Sequence, residues 1–301
     1  MKKSIISTGV VFLLATMLLH AQQTMTYNQY GVTVTPLNPA GSRIDSAGSV
    51  TVLGRRQWVG VEGAPQAFWF TGHLPVRALG ASAGLNVRHE SLAIEQSSEF
   101  SAFFAKSVRL SAETFLSLSL SAGVSHYRGN FSSVDGSDPA FSRDDIRETD
   151  ALAGFGLMLY GQEKYYVGVS LPRLSLSNLG SGGTNRQYRF YNQYHLMAGY
   201  LLPLGEDFHL KPAGLVTYSS NEKTRAEISA MVYARRMFGL GLNVRTYGHI
   251  AGMAHIAVNR LGINYSYQFH PGNQPLTRQL NNATHEVGLT YRFGRELPGL
   301  L

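Results

Sequence analysis

Residues 113–127 read ETFLSLSLSAGVSHY. Leu116, Leu118, Leu120, Ala122 and Val124 alternate strictly with Phe115, Ser117, Ser119, Ser121 and Gly123. A helix repeats near 3.6 residues, so a period of two marks a strand with one apolar and one small or polar face. The same alternation recurs in ALAGFGLMLYG (151–161), YYVGVSL (165–171), HLMAGYLL (195–202), LKPAGLVTY (210–218), RAEISAMVYA (225–234), MFGLGLNVRTYG (237–248), GINYSYQF (262–269) and HEVGLTYRF (285–293). From residue 48 onward there are about fourteen such segments of about ten residues, the length of a tilted strand that crosses a bilayer.

Composition decides between a water-soluble sheet and a membrane one. The second face carries Gly, Ser, Asn, Tyr and an occasional Arg, where a solvated sheet would carry Lys and Glu. Charged residues make up 15% of the chain, against roughly 25% in soluble domains. One face in hydrocarbon and the other in a crowded polar lumen accounts for both facts. Unpaired strand edges are not tolerated in lipid, so the sheet must close. The predicted fold is therefore all-β: a transmembrane antiparallel β-barrel of about fourteen strands in an outer membrane.

The ends of the chain fit export. Residues 1–23, MKKSIISTGVVFLLATMLLHAQQ, carry Lys2 and Lys3 ahead of an apolar core over 10–19. That core is too short to span a membrane as a helix, and Ala21 offers a cleavage point. The expected organisation is a signal peptide at 1–21, a periplasmic lead-in at 22–45, the barrel at 46–293 and a tail at 294–301. No later segment has 18 consecutive apolar residues, which excludes helical spans. There is no cysteine, hence no disulfide framework, thiolate metal site or lipoprotein anchor. Without Lys2 and Lys3 the net charge is about +5, and the basic residues are scattered singly, which argues against nucleic acid as a partner.

Connection lengths give an independent test. If the first strand starts in the periplasm, connections after odd strands are external. The long ones, 130–149, 172–190 and 271–283, follow strands five, seven and thirteen. The connections after even strands are short: 75–80, 109–113, 161–164, 203–207 and 235–236. Outer-membrane barrels show this division into short periplasmic turns and longer external loops.

Within GRRQWVGVEGAPQAFWF (54–70), Trp58, Trp69 and Phe70 are expected in an aromatic girdle at the headgroups. Gly63 and Pro65 would shape the first hairpin turn. Arg55 and Arg88 are expected in the lumen, since an arginine facing hydrocarbon at the midplane costs about 2–4 kcal/mol. Arg245 is expected there too. It ends GLNVR (241–245), a repeat of GLNVR at 84–88.

Catalytic motifs are thin. GASAG (80–84) matches Gly-x-Ser-x-Gly, but it runs directly into a strand with no helix to form a hydrolase elbow. Ser125 and His126 sit at the height of a barrel lipase dyad, yet adjacent strand residues point to opposite faces. The ten histidines lack zinc spacing. The loop VDGSDPAFSRDDIRETD (134–150) is acidic without ordered calcium-loop spacing, so a solvated external loop is expected. No enzyme activity, cofactor or metal is expected. A passive diffusion channel is the alternative if the lumen is open.

YNQY (27–30), PLNPAGS (36–42), RRQWVGVEGAP (55–65), INYSYQF (263–269) and NNATHEVGLTYRF (281–293) together resemble the PorP/SprF family of outer-membrane proteins, from about Tyr27 to Phe293. GVTVT (31–35) departs from that family's usual run after the first motif. The resemblance implies a non-enzymatic component of the type IX secretion and gliding machinery. Implied partners are periplasmic ring and peptidoglycan-associated components, or secreted surface adhesins. A barrel's lipid face is closed to soluble partners, so contacts must come from its two ends. At the periplasmic end the lead-in is the longest segment, with Tyr27, Tyr30, Asn38 and Pro39 as its expected partner-binding residues.

Overall fold

The computed structural model describes residues 27–45, 47–133, 145–179, 192–220, 222–246, 248–269, 284–293 and 300–301. The proposed signal peptide lies outside them.

The strands are β1 (Gly48–Arg56), β2 (Gln66–Val76), β3 (Ala81–Leu92), β4 (Glu95–Arg109), β5 (Thr114–Gly129), β6 (Ile146–Gly161) and β7 (Tyr165–Ser175). After them come β8 (Gln193–Tyr200), β9 (Phe208–Ser219), β10 (Glu222–Ala234), β11 (Phe238–Arg245), β12 (His249–Val258), β13 (Leu261–Phe269) and β14 (Thr284–Phe293). Leu202–Pro203 prolongs β8 beyond Leu201 in the same register against β9. Each strand pairs antiparallel with its chain neighbours, and β14 pairs with β1 to close the ring, Gly48 opposite Phe293. The barrel is thus closed and fourteen-stranded, as the alternation predicts.

Alternation sets the two faces. In β5, Ser117, Ser119 and Ser125 are buried inward, while Leu118, Leu120 and Val124 lie exposed on the outside. Exposed apolar side chains continue around the wall, for example Leu196 in β8, Ile228 in β10, Leu240 in β11 and Leu289 in β14. Exposed aromatics gather in two bands. Tyr194, Tyr218, Tyr267 and Phe269 lie toward the end with the long loops, and Tyr200, Phe208, Phe238 and Phe293 toward the end with the short turns. These bands suit the two membrane interfaces. The short-turn end is the periplasmic end by the usual rule.

The hairpins at that end are tight. Arg235 and Arg236 turn β10 into β11 with φ of 49° and 58°. This is the paired left-handed geometry that two-residue hairpins favour. At the opposite end Gly63, with φ of 69°, lets the β1–β2 loop rest against Ala93 between β3 and β4, and Ala93 donates its N–H to the Gly63 carbonyl at 2.8 Å.

The core is the lumen. Residues 27–45, the described part of the segment expected at 22–45 as a periplasmic lead-in, fold inside it as two short 3-10 turns, Asn28–Gly31 and Pro39–Arg43. Tyr27, Tyr30, Asn38 and Pro39 are all buried. The physical reason is satisfaction. The inner wall presents buried carboxylates, amides and carbonyls, and a segment rich in Asn, Gln, Tyr and Thr meets them with partners that water would otherwise supply.

Candidate functional site: a filled lumen and the vestibule above it

The plug is tied to the wall at three heights. Deepest from the periplasmic mouth, the Glu286 carboxylate accepts the backbone N–H groups of Asn28 and Gln29, both at 3.1 Å. It also receives Arg55, its direct neighbour across β1 and β14, at 3.1 Å with both side chains fully buried. Arg55 also donates to the Gln268 side-chain oxygen at 3.0 Å. Beside this group Arg245 pairs with Glu227 across β10 and β11 at 2.9 Å and donates to the Asn28 side chain at 3.2 Å.

At mid-height Asn38 caps the second turn, its Oδ1 accepting from the Ala40 N–H at 3.1 Å. Its Nδ2 donates to the Leu157 carbonyl at 3.1 Å and the Val169 carbonyl at 3.2 Å. Two wall glycines make the room. A Cβ at Gly156 would fall 2.2 Å from Asn38 Oδ1, and one at Gly168 would fall 2.9 Å from Nδ2. At the periplasmic mouth Ser42 and Ser82 share a hydrogen bond of 2.6 Å, Arg43 donates to the Ala81 carbonyl at 3.0 Å, and Asp45 lies 3.7 Å from Arg292. The chain's last two residues are buried here as well. Lys211 donates to the Leu300 carbonyl, and Leu301 lies beside Val34 and Ile44.

Arg55, Arg88 and Arg245 all point into the lumen; Arg88 pairs with Glu90 and sits 5.7 Å from the centre of the Trp69 ring. The tryptophans correct the expected girdle. Trp69 faces inward with Ala67, Thr71 and His73, and stacks obliquely on Tyr27 at 5.4 Å. Trp58 sits half-buried in the loop after β1 with φ of 46°. The signal was available: Trp69 alternates with Thr71 and His73, so it shares their polar face. Pro65 is buried in the same loop, its carbonyl accepting the Gln57 N–H at 2.9 Å. The partner-binding expectation is corrected likewise, since Tyr27, Tyr30, Asn38 and Pro39 are spent on the wall and offer no surface at the mouth.

Ser82, the serine of the Gly-x-Ser-x-Gly match, is fully buried and engaged by Ser42. Ser125 is buried inward, whereas His126 is exposed and bonds Thr149 at 2.9 Å. Most of the acidic loop, 134–144, lies outside the described residues. Of its remainder, Ser132 donates twice to Asp145 and holds its carboxyl below the usual range. Among the described residues no three His, Asp or Glu gather as a metal site. At the periplasmic rim, Lys164 and Glu113 join two turns. The hydrogen bond between them lowers the Glu113 pKa and raises that of Lys164.

The plug does not fill the lumen evenly. On the β2–β4 and β7–β8 side a vestibule remains above it, lined by Tyr27, Trp69, Arg88, Glu99, Arg173 and His195. Arg173 is ion-paired with Glu99.

A closed fourteen-stranded barrel with an apolar outer belt and a lumen occupied by its own N-terminal segment defines an outer-membrane β-barrel protein. The model for "Type IX secretion system membrane protein PorP/SprF" matches residues 19–291. The chain belongs to that family, and is thereby an outer-membrane component of type IX secretion. Curated proteins give no significant match. Among solved structures, the Ralstonia pickettii toluene transporter TbuX is similar with a TM-score of 0.51 at 8% identity, over 88% of this chain and 93% of that one. A Pseudomonas aeruginosa FadL homologue aligns with a TM-score of 0.47 at 10% identity, over 90% of this chain and 96% of that one. At such identity the likeness to TbuX concerns the barrel fold alone.

Proposed function

We propose that this protein is a closed, non-enzymatic platform in the outer membrane for type IX secretion, which holds periplasmic ring components at one end and secreted surface proteins at the other. The observation that carries the reading is the plug. Residues 27–45 engage the wall from the mouth to the Arg55–Glu286 pair, and Leu300–Leu301 occupy the mouth beside them. A diffusion channel needs a continuous aqueous path, and this lumen spends its polar groups on its own chain. With the lead-in buried, the surface left for periplasmic machinery is the rim of short turns, where Leu79, Leu110 and Leu204 are exposed among Arg109, Glu113 and Arg235. The test joins two readouts. Purified protein in planar bilayers should show no steady conductance, and charge reversal at Glu113 and Arg235 should reduce co-purification of periplasmic components from native membranes. A large steady conductance restores the channel reading, and undiminished co-purification removes the rim as the partner surface.

A further inference from the structure

We propose that the seam between β7 and β8 is a lateral binding site for a long-chain fatty acid, with the alkyl chain on the lipid face and the carboxyl in the luminal vestibule. Backbone pairing of the wall is incomplete there. Pairing of β7 with β8 stops at Ser170 opposite His195, although β7 runs on to Ser175 and β8 starts at Gln193. Pro172 lacks an N–H to offer. It sits in a register shift against β6, between Ala153 and Phe155. Gly154 accommodates this distortion: a Cβ there would fall 2.4 Å from the Pro172 carbonyl oxygen. Bulges of this kind re-aim side chains and end pairing next to functional sites.

The two sides of the seam differ in chemistry. Outside is a groove walled by Leu157, Val169, Leu171, Tyr194, Leu196 and Tyr218. Inside is the vestibule, where Pro172, Arg173, Gln193 and His195 reach it from the seam. His195 lines both spaces. Gln193 is 6% exposed, and its Nε2 has no hydrogen-bond partner. Leaving a buried donor unpaired is costly, so its place at the end of the pairing points to an oxygen acceptor that completes it. Five β7 residues run past the pairing, but only Leu171 and Pro172 still face β8, at Tyr194 and Gln193; that facing stretch is about 7 Å at the strand rise, room for one alkyl chain and not for a several-chained lipid. An amphiphile with a single chain and an oxygen head satisfies both sides.

The test uses the full-length barrel in nanodiscs with diazirine-labelled palmitic acid, and with phosphatidylethanolamine bearing the same diazirine chain as the comparison. After irradiation the fatty acid should mark peptides of β7 and β8 selectively, and excess oleate should remove the mark. The phospholipid should mark the outer belt evenly. Gln193→Leu should weaken oleate competition about tenfold, the loss expected for one hydrogen bond. Leu196→Trp, which fills the groove from the lipid side, should abolish selective marking while heat-modifiable gel mobility shows an intact barrel. Even marking by the fatty acid, selective marking by the phospholipid, or competition unchanged in Gln193→Leu each overturns the proposal.

Discussion

Replacing Glu286 by alanine should free the inner end of the plug and leave its mouth end in place. In the plugged state Glu286 accepts two backbone N–H groups of residues 28 and 29 and neutralises Arg55 with no exposure of either side chain. Hydrogen bonds to a charged group contribute about 1.5–3 kcal/mol each. Removing one partner of a buried ion pair costs about 3–5 kcal/mol, because the other charge is stranded. Water entering after the inner end leaves would resolvate Arg55, so the penalty falls on the plugged state alone. Arg55 keeps Gln268, and Asn28 keeps Arg245 and Asn243, which trims the net effect to about 3–5 kcal/mol. That shift corresponds to an opening equilibrium about 100- to 5,000-fold larger. The chain has no cysteine, so single reporters are clean. Maleimide labelling of Val32→Cys should accelerate by about two orders of magnitude or more in the Glu286→Ala background. Labelling of Ser42→Cys should not change, because Asn38 and Arg43 still hold the wall. Unchanged labelling at 32 would refute the role of Glu286, and equal acceleration at both positions would show that the plug leaves as one rigid body.

Gly156→Ala should push Asn38 off the wall, because its Cβ needs the space of Asn38 Oδ1; faster labelling of Ser42→Cys checks this, and an added Asn38→Gly should suppress the steric part. Trp69→Ala, which removes the Tyr27 and Arg88 contacts, should destabilise the detergent-solubilised barrel by about 3–5 kcal/mol, whereas Trp58→Ala in its half-buried loop should stay under about 1.5 kcal/mol, both read by thermal unfolding. Removing Leu300 and Leu301 strips Lys211 of its carbonyl and uncovers Val34 and Ile44, so limited periplasmic-side labelling of Val34→Cys should rise while the barrel remains heat-modifiable.

The wall was readable because a barrel writes its geometry into period, length and parity. Strand five shows this best: the leucines of LSLSL face lipid and the serines face the plug. The long connections fall after β5, β7 and β13, as parity requires. What lies inside the barrel was less readable. Residues 27–45 carry a composition equally suited to a solvated lead-in, and their burial depends on wall groups up to 258 residues away. One trace of it stood in the strands. Gly156 and Gly168 interrupt otherwise large-residue strands, and a glycine inside a strand marks a close approach of another chain. A second trace was Glu286, an acid within an alternating membrane strand, which demands a partner on the luminal side. Trp69 misled because tryptophan is common at membrane interfaces, while the parity of its neighbours placed it inward.

The charges in the lumen show what kind of plug this is. Over residues 27–45 the only ionisable acids or bases beyond tyrosine are Arg43 and Asp45, both at the mouth. The deep charges, Arg55 with Glu286 and Arg245 with Glu227, neutralise one another across neighbouring wall strands. The inner plug therefore brings no charge to the wall and takes none away. If it withdraws, no ion is left without its counterion, and the exposed N–H and carbonyl groups pass to water. Retention then rests on burial of Tyr27, Tyr30, Val34 and Ile44 and on directed hydrogen bonds, which salt screens little. A plug held by charge would leave wall ions stranded on release; the inner part of this plug would leave none, and its only ion pair with the wall among the described residues is Asp45 with Arg292 at the mouth.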